Sequence, residues 1–89
     1  MTVEDEIKVG IEKKVVLIGK NLVLKRLKQG KLSRVIMASN CSAAMKKEMG
    51  LLCEAAGLKC EEIRLSNMDL GALCKKSFGI SVIGFTVSE

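Results

Sequence analysis

At 89 residues the chain has room for one domain, residues 1–89, and an apolar share of 48%, rich in Val, Ile and Leu, excludes a disordered polymer. Fifteen Lys or Arg stand against ten Asp or Glu, and between residues 13 and 47 every charged side chain is basic. A one-signed stretch of that length favours a polyanion, because each neutralised phosphate releases counterions.

In chain order, residues 4–12 carry Ile7 and Ile11 four apart, the spacing of a first amphipathic helix. Residues 14–18 are apolar and β-branched after their lysine, a buried strand. Asn21 is placed to cap a helix running to Gln29, with Val23, Leu24 and Leu27 on its inner face. Gly30 ends it in the left-handed conformation. Residues 33–39 hold Val35-Ile36-Met37-Ala38, a second buried strand. Ser42 or Asn40 caps a longer helix to about Ala56, whose buried stripe is Met45, Met49, Leu52, Cys53 and Ala56, with Gly57 closing it. Residues 59–65 read as a third strand, with Cys60 and Ile63 apolar. Ser66-Asn67-Met68-Asp69 opens a short helix through Lys75, with Asp69 near its positive end, and residues 80–87 form the last strand. Helix and strand alternate four times. An α/β fold with helices on both faces of a small central four-stranded sheet is expected.

The four cysteines, at 41, 53, 60 and 74, fit no zinc-ligand spacing, and there is no histidine, so no metal or cofactor is expected. Small buried thiols in a reducing cytoplasm are the simplest reading. No apolar run approaches the ~20 residues of a membrane span, and no segment resembles a signal peptide. Enzyme chemistry also finds little support. Gly19-Lys20 lacks the upstream glycine and following Ser/Thr of a phosphate-binding loop, and no histidine can activate a cysteine or serine. Glu61 and Glu62 fall on opposite faces of a strand and make a poor acid/base pair. Neither catalysis nor a small-molecule substrate is expected.

Three loops remain as the candidate site: Gly19-Lys20-Asn21, Ser39-Asn40-Cys41-Ser42 and Ser77-Phe78-Gly79-Ile80. The first two follow strands, at the end where α/β sheets place ligands, and each opens a helix whose free N–H groups favour phosphate. The third offers Phe78, one of two aromatics, on which an unpaired base could stack or pack against Ile80; composition alone favours Phe78 as a core residue ending a helix.

Set together, Ile18-Gly19, Leu27-Lys28-Gln29-Gly30-Lys31, Val35-Ile36-Met37-Ala38-Ser39-Asn40-Cys41, Lys46 with Glu48, Asn67-Met68-Asp69-Leu70-Gly71 and Ser77-Phe78-Gly79-Ile80 resemble, in colinear order, the L-thirty-e family of large-subunit ribosomal proteins of archaea and eukaryotes. That family lies within the kink-turn RNA-binding superfamily. The resemblance implies a three-layer α/β/α sandwich that binds ribosomal RNA at a kink-turn, an internal loop whose sheared G·A pairs bend the RNA sharply. It implies a cytoplasmic, ribosomal location beside neighbouring ribosomal proteins. By the same resemblance Gly19 lets the backbone approach RNA, Asn21 bonds a guanine edge, Lys25 meets phosphate and Asn40 contacts a base or the backbone. Phe78 and Ile80 pack on an extruded nucleotide. With Lys20, Lys28, Ser39, Lys46 and Gly79 these residues form the candidate RNA-contact set. Asn21 also matches free-standing kink-turn proteins of small-RNA modification or processing particles, the alternative reading.

Overall fold

The computed structural model describes residues 2–86. The elements are α1 (Val3–Glu12), β1 (Val16–Ile18), α2 (Lys20–Lys28), β2 (Leu32–Met37), α3 (Ala43–Ala56), β3 (Lys59–Glu62), α4 (Asn67–Leu73) and β4 (Val82–Thr86). The expected order holds; Val87, read as the end of the last strand, lies outside the described residues. The four strands form one sheet in the order β1-β4-β2-β3. β3 runs parallel to β2, while β4 is antiparallel to both its neighbours. β1, β2 and β3 therefore end at one edge of the sheet, where β4 begins.

Strand alternation divides the core between two layers. Val35, Met37 and Val82 face Val23, Leu27, Met49 and Cys53 of α2 and α3. Ile36, Ala38 and Ile83 face Ile7 of α1 and Leu70 of α4. The result is a three-layer α/β/α sandwich, as expected. The stripe on α3 is narrower than its sequence suggests. Met49 and Cys53 are buried and Met45 and Leu52 half-buried, but Ala56 is exposed because the helix extends past the sheet before Gly57 closes it.

Arg34 ties α1 to the sheet. It donates from Nε and Nη2 to Glu61 of β3 at 3.2 and 3.0 Å, pairs through Nη1 with Glu6 of α1, and its guanidinium lies 5.5 Å from the Phe85 ring centroid. Those carboxylates, Glu61 foremost, raise its pKa further above the ordinary value.

Cys41, Cys53 and Cys74 are buried, Cys60 is half-buried, and all four are free thiols. Burial pushes each thiol up from its ordinary 9.0, Cys60 to about 12. An unfolded thiol ionises near its ordinary value, whereas the folded one keeps its proton. The stabilisation is therefore complete below about 9 and falls as the pH climbs towards 12. Melting temperature is expected to drop between pH 8 and pH 11, and Cys60→Val to flatten part of that drop. An unchanged alkaline limb in the variant would rule Cys60 out as a contributor.

Candidate nucleic-acid interface

The carboxyl edge of the sheet gathers the loops β1–α2, β2–α3 and α4–β4. Gly19 is the hinge of the first. Its φ of 100° and ψ of 150° lie where side-chain-bearing residues are strained, and its N–H donates to the Val82 carbonyl at 3.1 Å. Gly19, not Asn21, is the N-cap of α2, and no side chain caps that terminus. This corrects the sequence reading: the helix begins two residues earlier, which puts Asn21 inside its first turn. Asn21 is exposed, and its amide makes no hydrogen bond among the described residues. By contrast α3 is capped by Ser42, whose hydroxyl accepts from the Met45 N–H at 3.1 Å. α4 is closed by a reciprocal Ser66–Asp69 capping box. The uncapped start of α2 is thus the helix end that can receive an anion.

Asn21, Lys25 and Lys28 lie at i, i+4 and i+7 on the outer face of α2, all exposed. Lys28 stands about 12 Å along the helix from Lys20 by helical rise, at the far end of that stripe.

The third loop packs tightly on α4. A Cβ on Gly71 would lie 2.0 Å from the Phe78 carbonyl oxygen, and one on Gly79 would lie 2.8 Å from Asn67 Nδ2. These two glycines let residues 78–79 lie against the helix. The Phe78 ring is left 56% exposed, so the aromatic is a surface group and not a core residue. Ile80 differs from the expectation. Its side chain is 3% exposed and sits in the core with Ile7, Ile36 and Leu70. Ile80 precedes β4, where its N–H donates to the Asn67 carbonyl and its side chain enters the α1/α4 layer, so it supports the loop from beneath instead of offering a surface for a nucleotide.

Gly19, Lys20, Phe78, Gly79 and Ile80 line one groove of about 360 Å³, closed by Met45, Ser81 and Val82. Ser39, Asn40 and Lys46 stand beside it as an organising group. Asn40 Oδ1 accepts from the Asn67 N–H at 2.8 Å, and its Nδ2 donates to Asn67 Oδ1 at 2.9 Å. The Asn67 carbonyl in turn accepts from the Ile80 N–H at 2.8 Å, so one asparagine pair links all of β2–α3, α4 and the Phe78 loop. Lys46 donates to the Ser39 carbonyl at 3.1 Å and pairs with Glu62. Lys20 lies 3.5 Å from Glu48.

Two lining or supporting residues escaped the sequence reading. Met45 belongs to the apolar stripe of α3, but at the first turn that stripe emerges over the sheet edge. Asn67 follows a capping serine and reads as helix start; only its contact with Asn40, 27 residues away, reveals its role. A larger groove of about 720 Å³ between α1 and α4 has mixed charge and contains none of the expected contact residues. Among the described residues no group of three His, Cys, Asp or Glu could hold a metal, and no helix is long and apolar enough to cross a membrane.

The model of the ribosomal protein L7Ae/L30e/S12e/Gadd45 family matches residues 1–89. The large ribosomal subunit protein eL30 of Methanopyrus kandleri is 33% identical over 72 residues, covering 81% of this chain and 66% of that protein's own length. The eL30 protein of Sulfolobus acidocaldarius is 31% identical over 81 residues, covering 91% and 78%. Among solved structures, the 15.5kD RNA binding protein of Giardia lamblia superposes with a TM-score of 0.84 at 25% identity, covering 98% of this chain and 72% of that one. A Bacillus halodurans protein of unknown function gives the same TM-score at 21% identity, a likeness of fold.

Proposed function

We propose that this chain, which belongs to the ribosomal protein L7Ae/L30e/S12e/Gadd45 family, is a structural RNA-binding protein of the large ribosomal subunit whose carboxyl sheet edge holds a kink-turn. The observation that carries the reading is the shared groove. It brings an uncapped helix start at Gly19 and an exposed Phe78 within reach of one ligand, with the free amide of Asn21 beside them. Each feature answers a different part of a bent RNA loop. The unbonded N–H groups of α2 and Lys25 meet phosphate, which carries affinity without sequence. The Asn21 amide offers a paired donor and acceptor to a base edge. Phe78 provides an apolar face for a base turned out of its stack. Asn40 and Asn67 hold these groups in register. No residue is assigned a catalytic step; the RNA is bound, not transformed, in a ribosomal and hence cytoplasmic setting.

The side chains are expected to separate by effect. Lys25→Ala weakens kink-turn binding and lowers the slope of log affinity against log salt by about 1. Asn21→Ala leaves that slope unchanged and narrows the preference for the kink-turn over a mispaired version by roughly tenfold, the scale of a bidentate base contact. Phe78→Ala costs about 1–3 kcal/mol of binding. Titrations at several salt concentrations check all three; equal loss from Asn21→Ala on both RNAs would remove the base-reading role.

A second reading keeps the same site but sets the protein in a small-RNA particle outside the ribosome. It is favoured by the free amide at Asn21 and by the likeness to the Giardia RNA-binding protein. Purification from cells decides: ribosomal subunits support the first reading, small guide RNAs the second.

A further inference from the structure

The basic run between residues 13 and 47 does not fold onto one surface. β1 and β2 are parallel, since β4 is antiparallel to both. Gly19 and Ser39 therefore stand at one edge of the sheet, and Lys14 and Lys31 at the other, roughly 20 Å away along β2. At the carboxyl edge Lys20 and Lys46 are matched by Glu48 and Glu62. At the amino edge Lys13 and Lys14 leave α1, Lys31 enters β2 and Lys59 opens β3. All four are exposed, and none takes part in an ion pair among the described residues. Of the acids near these lysines in the chain, Glu12 turns to the α1–α4 groove, Glu54 lies on α3, and Glu61 and Glu62 are paired with Arg34 and Lys46.

The cluster has a defined layout. The Val15 carbonyl accepts from the Thr86 N–H at 2.8 Å, and Thr86 lies opposite Leu32. Lys14 and Lys31 therefore flank β4 at two strand spacings, roughly 10 Å apart. Lys14 also adopts a φ of 58°, the left-handed conformation that Gly30 and Gly57 take after α2 and α3. Glycine would relax there, so a lysine at this position keeps its charge at the expense of backbone strain, as Lys75 does after α4 at a φ of 60°. The negative ends of α1, α2 and α3 point to this edge and account for the cations that follow α1 and α2. They do not account for Lys59 at the start of β3, beyond the Gly57 that closes α3.

We propose that this amino edge is a second RNA-binding surface, taking the phosphate backbone of an RNA helix, so that the protein bridges two RNA segments. Lysines without amide or aromatic neighbours bind phosphate and read no sequence. The shallow minor groove of an A-form helix, flanked by two phosphate rows, presents a surface that such a cluster can span. The surface stands independently of the kink-turn reading, from which it is separated by the length of the sheet.

The test uses an RNA duplex of about 16 base pairs without an internal loop. It is offered to the full chain and to the preformed kink-turn complex. The variant carries Lys13→Gln, Lys14→Gly, Lys31→Gln and Lys59→Gln. Wild-type protein should bind the duplex in both states, forming a ternary complex visible by sedimentation. The variant should lose about tenfold or more in duplex affinity, with the salt slope reduced by about 3, while kink-turn affinity stays within about twofold. Lys20→Gln with Lys25→Gln should do the reverse. Should the fourfold variant not fold, Lys31→Gln and Lys59→Gln separately should each lower duplex affinity about two- to threefold. Unchanged duplex binding in these variants, or duplex and kink-turn excluding one another, overturns the proposal. Failure of kink-turn binding alone leaves the duplex arm readable and counts against the carboxyl-edge reading only.

Discussion

Replacing Gly71 by alanine is expected to lower RNA affinity about tenfold or more while costing only about 1–2 kcal/mol of stability. The new Cβ would stand 2.0 Å from the Phe78 carbonyl oxygen and 3.1 Å from its carbon. That neighbour is backbone, so no rotamer change relieves the clash, and overpacking of this kind costs about 1–3 kcal/mol. Part is offset, because alanine favours the interior of α4 by up to about 1 kcal/mol over glycine. What moves is the loop carrying Phe78 and Gly79, and with it one wall of the groove. Binding should therefore suffer more than folding does. Gly50 provides the control. It too lies within a helix, α3, but a Cβ there meets nothing within 4 Å. Gly50→Ala should stabilise by about 0.5–1 kcal/mol and leave RNA binding alone. Thermal melts and RNA titrations on the pair separate a propensity effect from a loop displacement; equal binding by both variants would mean that Phe78 is not held by Gly71.

Arg34→Met is expected to lower stability by about 2 kcal/mol with no change in RNA affinity per folded molecule. Arg34 is 22% exposed in its side chain and donates from Nε and Nη2 to Glu61 and from Nη1 to Glu6. Methionine fills much of the volume over Phe85 but leaves two partly buried carboxylates facing each other without a cation. Losing one partner of a fully buried pair costs about 3–5 kcal/mol, whereas exposed pairs contribute below about 1; this cluster lies between those limits. In a domain of this size the melting temperature should fall by about 10 °C. Adding Glu6→Gln and Glu61→Gln to the Met variant should recover part of the loss, because the repulsion is then removed. Full additivity of the three substitutions would show that the charges do not interact. Arg34 lies on the α1/α4 side of the sheet, away from the groove, which is why binding should not respond.

Much of this architecture is legible in the chain. Hydrophobic period and punctuation by Gly30, Gly57 and Ser66 place all eight elements, and their alternation alone calls for helices on both faces of one sheet. The errors have physical causes. Asn21 has the chemistry of a cap, but a glycine with φ near 100° can start the helix two residues earlier and leave the amide free. Ile80 stands two residues after an exposed phenylalanine and before β4, and nothing local says that it packs with Ile7, Ile36 and Leu70. The Asn40–Asn67 pair joins residues 27 apart, and a link of that range is written in the fold and not in any window of sequence. The basic run misleads for the same reason. It is continuous along the chain, yet the parallel arrangement of β1 and β2 sends its members to opposite edges. The contact set expected from resemblance is likewise mixed in kind: Asn21, Lys25 and Phe78 offer free groups to a ligand, whereas Asn40 and Lys46 hold loops together.

The edge between Gly19 and Phe78 is expected to recognise a sharply bent RNA loop and not RNA in general. The direct measurement is the affinity of the purified chain for a kink-turn RNA against a fully paired duplex of equal length, under one salt condition. The amino edge contributes only sequence-independent binding to either RNA, so a preference of at least about a hundredfold for the kink-turn is expected, lost largely on Phe78→Ala with Asn21→Ala. Equal affinity for the two RNAs would contradict the account.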